Sequence, residues 1–148
     1  MRVLIQRVLR AAVRLSDGSS RPIGPGLVVL IGVGKDDDED AAAKLAEKTA
    51  NLRIFSNDRG KFDLSLLDVK GSALVVSQFT LYGDCARGRR PDFTAAMLPE
   101  RAEALYRAYA GKLAALGVPV QTGEFGAKMQ VELVNDGPVT IWIDSAQP

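Results

Sequence analysis

Histidine does not occur in this sequence of 148 residues, and cysteine occurs once. Because histidine is the side chain that most often acts as a general base near neutral pH, its absence excludes Ser-His-Asp and Cys-His triads. Zinc and iron sites depend on His and Cys ligands, so a resident metal of that kind is not expected. We therefore expect neither a metal site nor a cofactor.

Phosphate-binding loops are also missing. A P-loop needs Ser or Thr after its Gly-Lys pair, but Gly34-Lys35 is followed here by Asp36. Val29 stands where such a loop needs its first glycine. The acidic residues 36–40 could supply oxygen ligands to magnesium, but consecutive carboxylates more often mark the solvated start of a helix.

Long apolar runs are absent from the sequence. The longest, residues 27–33, has the length of a strand, whereas a helix needs roughly 20 apolar residues to span a bilayer. Arg2, Arg7 and Arg10 interrupt the apolar residues near the start, so no signal-peptide core is expected. These patterns and the single Cys85 predict a cytoplasmic protein without a membrane partner.

Charge is nearly balanced, with 19 basic and 18 acidic residues. The strong basic excess that usually marks a nucleic-acid-binding protein is therefore missing, and no DNA partner is expected. A local basic cluster is formed by Arg87, Arg89 and Arg90. On the sequence alone, a solvated loop is a better interpretation of this cluster than a phosphate contact.

Strand patterns outnumber helix patterns in this chain. A length of 148 residues with 47% hydrophobic content predicts one domain, residues 1–148, with its own core. The last two strands are predicted to form a hairpin through Asp136-Gly137. The expected fold class is α/β, with a mainly β core built as a layered or barrel-like sheet and two amphipathic helices packed on one side. Strands are predicted over residues 1–15, 27–34, 73–81, 118–122, 129–134 and 139–144, and the two helices follow residues 36–40 and begin at Pro99.

Hydroxyls, amides and backbone groups remain as possible chemistry. Ser77 and Thr80 lie near the end of a buried strand pattern, on opposite faces unless the strand bends there. A Ser or Thr nucleophile needs an adjacent base, and none is visible. On the residues alone, Ser77, Gln78, Phe79 and Thr80 are best interpreted as structural.

Two short motifs change that interpretation. Ser77-Gln78-Phe79-Thr80-Leu81 and Asn135-Asp136-Gly137-Pro138-Val139-Thr140 resemble the two signature motifs of the D-aminoacyl-tRNA deacylase family, the Gly-cisPro type that includes D-Tyr-tRNA deacylase. The resemblance covers nearly the whole chain. Further segments in the expected order are residues 2–8, 51–55, 64–69, 88–91 and 125–129.

The resemblance implies an ester hydrolase that releases free tRNA and a D-amino acid from D-aminoacyl-tRNA, and that also acts on mischarged glycyl-tRNA. It assigns Ser77, Gln78, Phe79 and Thr80 to the catalytic pocket for the terminal adenosine and the ester. Water is the attacking group, oriented by the 2′-hydroxyl of the tRNA. Backbone N–H groups near Phe79 and Thr80 would stabilise the oxyanion, a role worth about 3 to 4 kcal/mol.

The second motif is assigned to chiral selection. In the family, Gly137-Pro138 resembles a cis pair whose carbonyl oxygens occupy the space of an L side chain, so that selection works by exclusion. The pair enters the site of a partner subunit, which implies a homodimer with composite sites. The resemblance also implies that Leu81 lies in the substrate site and that Arg7 supports the motif. It further implies that Phe125 and Met129 line the pocket.

Two other functions stay open at this point. One is a non-catalytic module on the same fold that binds an RNA end or a nucleotide. The other is a hydrolase that uses Thr80 or Ser77 as a covalent nucleophile on a different ester.

Overall fold

A computed structural model describes residues 1–147. Eight strands, two α-helices and one short 3₁₀ turn follow one another along the chain. In chain order they are β1 Arg2–Leu15, β2 Ser20–Ile23, β3 Gly26–Gly32, α1 Glu39–Asn51, β4 Phe55–Ser56, β5 Phe62–Leu64, β6 Ser72–Ser77, the 3₁₀ turn Phe79–Tyr82, α2 Pro99–Ala115, β7 Val120–Thr122 and β8 Met129–Asp144.

One mixed sheet contains six of the strands, in the order β2-β1-β3-β6-β7, with β8 paired to the other edge of β1. β1 runs antiparallel to β2, β3 and β8, whereas β3–β6 and β6–β7 are parallel pairs. β3 is central and almost fully buried. Its continuous apolar sequence, without alternation, is what a strand covered on both faces requires.

Both helices begin where the sequence predicts a start. The Asp38 carboxylate accepts a hydrogen bond of 2.8 Å from the Ala41 N–H and so caps α1. Pro99 occupies the first turn of α2, where its missing N–H costs no hydrogen bond. Inside the fold, the Tyr109 hydroxyl donates to the Thr49 hydroxyl over 2.8 Å and joins the two helices.

The sheet separates two apolar clusters. On one face, Val3, Ile5 and Val29 pack with both helices in the larger cluster. On the opposite face, the smaller cluster includes Val8 and Leu74. The prediction of a single α/β domain with a mainly β core and both helices on one side is therefore confirmed. The sheet curves into a nearly closed barrel.

Two details of the predicted strands are wrong. Residues 129–134 and 139–144 do not form a hairpin, because both belong to the one strand β8, which pairs antiparallel with β1 on either side of a bulge. The predicted strand over residues 73–81 stops at Ser77, and the 3₁₀ turn replaces its last part. The alternation of apolar and polar residues could not show this bend, since a strand and a 3₁₀ turn both accept these side chains.

No helix within residues 1–147 is both long and apolar enough to cross a membrane.

Candidate active site

The centre of the candidate site is the point where β6 becomes the 3₁₀ turn. Ser77 is paired with Ile31 of β3, and the Gln78 N–H donates to the Ile31 carbonyl over 2.7 Å. The chain then bends, and the Leu81 N–H donates back to the Gln78 carbonyl over 3.2 Å. Because of this bend, the alternation argument that separates Ser77 from Thr80 does not apply.

Two backbone donors are left free by the turn. The first N–H groups of any helix lack a partner inside it, and here they belong to Phe79 and Thr80. Neither N–H has an acceptor among residues 1–147. The side-chain amide of Gln78 donates to the Thr80 hydroxyl, not to the backbone. The turn therefore offers two adjacent donors to a ligand.

A cleft of about 640 Å³ opens beside these donors. Its volume lies within the range of about 300 to 1,000 Å³ that small-molecule sites occupy. The Phe79 ring is 56% exposed and meets Phe93 edge to face, with 5.1 Å between the ring centroids. An exposed aromatic ring at the mouth of a cleft provides a flat apolar surface for a ligand.

No side-chain base lines this cleft among the described residues. The one ionisable side chain in its wall is Lys128, and a lysine side chain supplies hydrogen-bond donors but no acceptor. The other polar side chains there are Ser77 and Gln78. Proton transfer in the cleft must therefore use water or the ligand itself.

Arg2 holds the turn from behind. Its Nη1 donates to the Leu81 carbonyl over 3.0 Å, and its Nε donates to Asp144 over 3.0 Å. The guanidinium carbon also lies 4.4 Å from the centroid of the Tyr82 ring. Burial works to raise the pKa of Asp144, but the Ala146 N–H and the Arg2 guanidinium outweigh it and hold this pKa below its usual value.

Tyr82 ties the end of the turn to the start of the first helix. Its hydroxyl donates to Asp37 over 3.3 Å. Burial raises the pKa of Tyr82 above its ordinary value, and the Asp37 carboxylate raises it further, so the phenol stays protonated and remains a donor. Asp37 also accepts from the Gly34 N–H over 2.6 Å and pairs with the Met1 amine. Asp37 thus serves in an ion pair of the fold, and Asp38 serves as a helix cap.

Two glycines leave the space that the turn fills. A Cβ on Gly32 would lie 3.0 Å from the Gln78 carbonyl oxygen and 3.1 Å from the Leu81 Cβ. A Cβ on Gly34 would lie 2.6 Å from the Tyr82 hydroxyl oxygen. A Cβ on Gly32 would therefore press on the turn by a few tenths of an ångström, and a Cβ on Gly34 would displace the Tyr82 ring. Glycine avoids both shifts where the turn packs on β3 and the loop after it.

The second motif forms a loop inside β8. Gln6 is paired with Thr140 and Val8 with Asn135, so residues 136–139 bulge out opposite Arg7 without partners in the register. The Asn135 side chain closes the loop, because its Oδ1 accepts from the Val139 N–H and its Nδ2 donates to the Val139 carbonyl, both over 3.0 Å. The Gly137–Pro138 peptide bond is cis, as the resemblance implies.

Arg7 supports this loop from the buried side. Its Nε donates to the Asp136 carbonyl over 3.2 Å and lies 3.3 Å from the Asp136 carboxylate. Its Nη1 donates to the Ile54 carbonyl over 2.7 Å. The Arg7 guanidinium therefore has hydrogen-bond partners at both Nε and Nη1. Gly137 and Pro138 remain exposed.

A family model and curated relatives of this chain agree on one family. A family model described as D-Tyr-tRNA(Tyr) deacylase matches residues 4–144. The chain belongs to this family. A D-aminoacyl-tRNA deacylase of Roseiflexus sp. (strain RS-1) is 58% identical over 146 residues, covering 99% of this chain and 94% of the relative. One of Paracoccus denitrificans (strain Pd 1222) is 57% identical, covering 99% and 98%.

Two solved structures share the fold. The c-Myc DNA Unwinding Element Binding Protein superposes with a TM-score of 0.91 at 38% identity, covering 97% of this chain and 98% of its own. A probable eukaryotic D-amino acid tRNA deacylase superposes with a TM-score of 0.84, covering 96% and 97%. At 16% identity, the second likeness supports the fold alone.

The deacylase motifs do not meet within one chain. The cleft brings together five of the predicted site residues. Thr80 and Leu81 continue the turn at its side. Arg7, Gly137 and Pro138 are not in the wall of the cleft and form a separate group around the loop inside β8. The five residues in the wall of the cleft are Ser77, Gln78, Phe79, Phe125 and Met129.

Several residues around the candidate site are missing from the sequence prediction. Phe93, Leu98 and Lys128 line the cleft, and Arg2 holds the turn. The sequence carries a weak signal for Phe93, an aromatic residue that follows a polar loop. It carries none for Arg2, because only the folded sheet brings position 2 next to position 81.

Proposed function

We propose that this chain hydrolyses the ester bond of D-aminoacyl-tRNA and releases free tRNA and a D-amino acid. The observation that carries the proposal is the pair of free N–H groups at Phe79 and Thr80, in a turn beside a cleft without a side-chain base. An acyl-transfer site needs oxyanion donors. The missing base must then come from the substrate, and the ribose next to the ester of an aminoacyl-tRNA carries a hydroxyl.

The reaction uses water as the nucleophile. Its oxygen attacks the ester carbonyl carbon, and the carbonyl oxygen becomes an oxyanion that accepts from the Phe79 and Thr80 N–H groups. The bond to the 3′-oxygen of the terminal ribose then breaks, and that oxygen takes up the proton that the attacking water loses, which leaves the free amino acid and the free tRNA. The 2′-hydroxyl orients the water, so no covalent enzyme intermediate forms.

Chiral selection belongs to Gly137 and Pro138 in this proposal. They are exposed and lie outside the cleft of their own chain, while Arg7 and Asn135 hold the loop firmly. A second copy of the chain can therefore insert this loop into the cleft and block an L side chain. The proposed assembly is a homodimer of two-fold symmetry with two composite sites.

The proposed setting is the cytoplasm, with the aminoacylated 3′ end of tRNA as the partner. Glycine has no side chain, so a site that works by excluding an L side chain does not exclude glycine. Glycyl-tRNA is therefore expected to be a substrate, and the activity serves proofreading of charged tRNA.

The direct test is deacylation of matched D-, L- and glycyl-tRNA by the purified protein. Cleavage of the D and glycyl forms with sparing of the L form is expected. Absence of all cleavage, with tight binding of the RNA end, would favour the non-catalytic module instead. If glycine is rejected as strictly as L-alanine, then the site binds the D side chain actively and the exclusion mechanism is wrong.

Mixed dimers test the composite site. One chain carries substitutions at Gln78 and Phe79, and the other carries substitutions at Gly137 and Pro138. If the sites are shared, the intact turn of the second chain meets the intact loop of the first, and one working site returns. If each site lies within one chain, every site keeps a lesion, and the mixture stays inactive although its subunits have exchanged.

DNA binding has one observation in its favour. The solved structure at 38% identity is named for a DNA unwinding element, which is a statement about that protein. We propose that this chain acts on tRNA ends and not on duplex DNA, because the proposed reaction needs an aminoacyl ester, which duplex DNA lacks. Competition between charged tRNA and duplex DNA for the purified protein decides between them.

A further inference from the structure

The residues that follow the 3₁₀ turn form a closed loop at the rim of the cleft. The Asp84 N–H donates to the Asp92 carbonyl over 2.8 Å, and the Asp92 N–H returns a hydrogen bond of 2.9 Å to Asp84. This pair closes residues 84–92, which we call the arginine loop. The loop holds Arg87, Arg89 and Arg90, all exposed.

The base of the arginine loop is fixed by local bonds. The Asp84 carboxylate accepts from the Ala86 N–H over 2.8 Å, and the Asp92 carboxylate accepts from the Thr94 N–H over 2.7 Å. The Thr94 hydroxyl and N–H hold the pKa of Asp92 below its usual value. Both carboxylates are thus used in turns at the base, and the cationic side chains extend beyond them.

Within residues 1–147, no carboxylate pairs with the three arginines of the loop. Five of the nine other arginines have acidic partners within 4 Å, and the other four lack one as well in the described part of the chain. The loop is distinguished because it groups three arginines without acidic partners within four residues. The arginines with acidic partners are Arg2, Arg7, Arg14, Arg53 and Arg107.

The position of the loop determines which ligand it can meet. Phe93 follows the loop directly and lies in the wall of the cleft, against Phe79. The tip of a loop of this size reaches at most about 13 Å from its base. A nucleic acid whose last nucleotide enters the cleft must therefore pass its preceding phosphates close to these guanidinium groups.

We propose that the arginine loop binds the phosphates of the tRNA acceptor end next to the terminal nucleotide. The inference rests on the proposed function, because it takes the occupant of the cleft from there. Guanidinium groups stay charged at all relevant pH values and can bind phosphate oxygens in pairs. The loop contributes affinity for the RNA backbone, whereas the cleft contributes the chemistry.

The test compares two substrates. D-aminoacyl-tRNA carries the phosphates, and 3′-O-(D-aminoacyl)adenosine lacks them. The double substitution Arg89→Gln/Arg90→Gln removes two charges from the loop. Lys70→Gln/Lys112→Gln is the matched control, because both lysines lie near the ends of β6 and α2 that are remote from the cleft. Thermal unfolding establishes that both variants fold.

On the tRNA substrate, the loop variant is expected to lose at least ~10-fold in kcat/KM at low salt. The slope of log kcat/KM against log salt should become shallower by about one unit per arginine removed. The control variant should keep the wild-type slope. On the adenosine substrate, the wild-type protein and both variants should agree. Arg89→Lys/Arg90→Lys should keep the slope, because the charge remains.

Other outcomes overturn the inference. An unchanged salt slope with tRNA would mean that the loop makes no phosphate contact. Equal losses on both substrates would mean that the loop acts through the cleft. If the wild-type protein cleaves neither substrate, the proposed function fails separately, and binding of uncharged tRNA by the same variants still decides whether the loop contacts RNA.

Discussion

The turn Phe79–Tyr82 and the loop of residues 136–139 differ in the groups that they leave exposed. The turn leaves N–H donors free at its first residues, whereas the loop has left the register of β1 and presents an exposed glycine and proline. The turn opens into a cleft, and its support comes from behind through Arg2 and Tyr82. The loop is fixed at its base by the side chains of Arg7 and Asn135.

This difference separates rate from selectivity. Donors that stabilise a developing charge change the rate for every substrate that reaches them. A rigid loop that occupies space changes the ratio between substrates of opposite chirality. Damage to the turn should therefore lower turnover, and damage to the loop should lower discrimination.

The largest effect on the rate is expected from a change in the substrate and not from a substitution in the protein. Replacing the terminal 2′-hydroxyl of a 3′-D-aminoacyl-tRNA by hydrogen should lower kcat by at least about 100-fold, because it removes the group that orients the water. Single-turnover deacylation measures this change. Normal turnover of the deoxy substrate would show that the protein supplies the missing base.

The loop should be most sensitive to Arg7→Ala. This substitution leaves the Ile54 carbonyl and Asp136 without their buried donor, so the free energy of unfolding should fall by about 3 kcal/mol. The ratio of D- to L-aminoacyl-tRNA cleavage should fall as well. Urea unfolding and paired deacylation assays measure the two quantities.

Arg14→Ala is the matched control for Arg7. The Arg14 side chain pairs with Glu132 on the same two strands, but both groups are more than half exposed. Its loss should cost less than about 0.5 kcal/mol and leave chirality unchanged. Equal effects of the two substitutions would show that the Arg7 contacts do not hold the loop.

The support behind the turn can be tested with Arg2→Ala. Without its bond to the Leu81 carbonyl the turn should shift, and kcat should fall by about 10- to 100-fold while KM stays close to its wild-type value. Arg2→Lys should recover part of the rate, since one donor remains. A rise in KM alone would assign Arg2 to binding instead of positioning.

The smallest effect is expected for Thr80→Ala. The N–H of residue 80 remains, and only the hydroxyl bonded to Gln78 is lost, so kcat should fall by less than about 10-fold. Loss of a nucleophile or proton carrier would cost roughly 100-fold or more. A folded but inactive variant, together with a trapped acyl-enzyme, would establish covalent catalysis.

The sequence predicted those parts of the molecule that depend on local chemistry. Asp38 and Pro99 start helices because their side chains or rings suit the first turn, and the uniformly apolar β3 is central because both its faces are covered. The hairpin at Asp136-Gly137 was wrong. A short turn signal cannot distinguish a reversal from a bulge when a long neighbouring strand, here β1, is available on both sides.

The site was less accessible to sequence reasoning. The residues of both motifs were named only through a resemblance, because free backbone N–H groups carry no side-chain signature. The bend after Ser77 decides which face Thr80 occupies, and it depends on space that Gly32 and Gly34 leave open elsewhere in the chain. Contacts such as that of Arg2 with the Leu81 carbonyl join positions far apart in sequence.

The free donors of the turn also affect which amino-acid substitutions this protein tolerates during evolution. A backbone N–H survives every side-chain replacement except proline, so drift at positions 79 and 80 cannot delete the donors one by one. The sensitive positions are instead the small residues beneath the turn, Gly32 and Gly34, where any added carbon presses on it. In a library selected for loss of activity, inactivating substitutions should therefore concentrate in the glycines that support the turn more than in the turn itself.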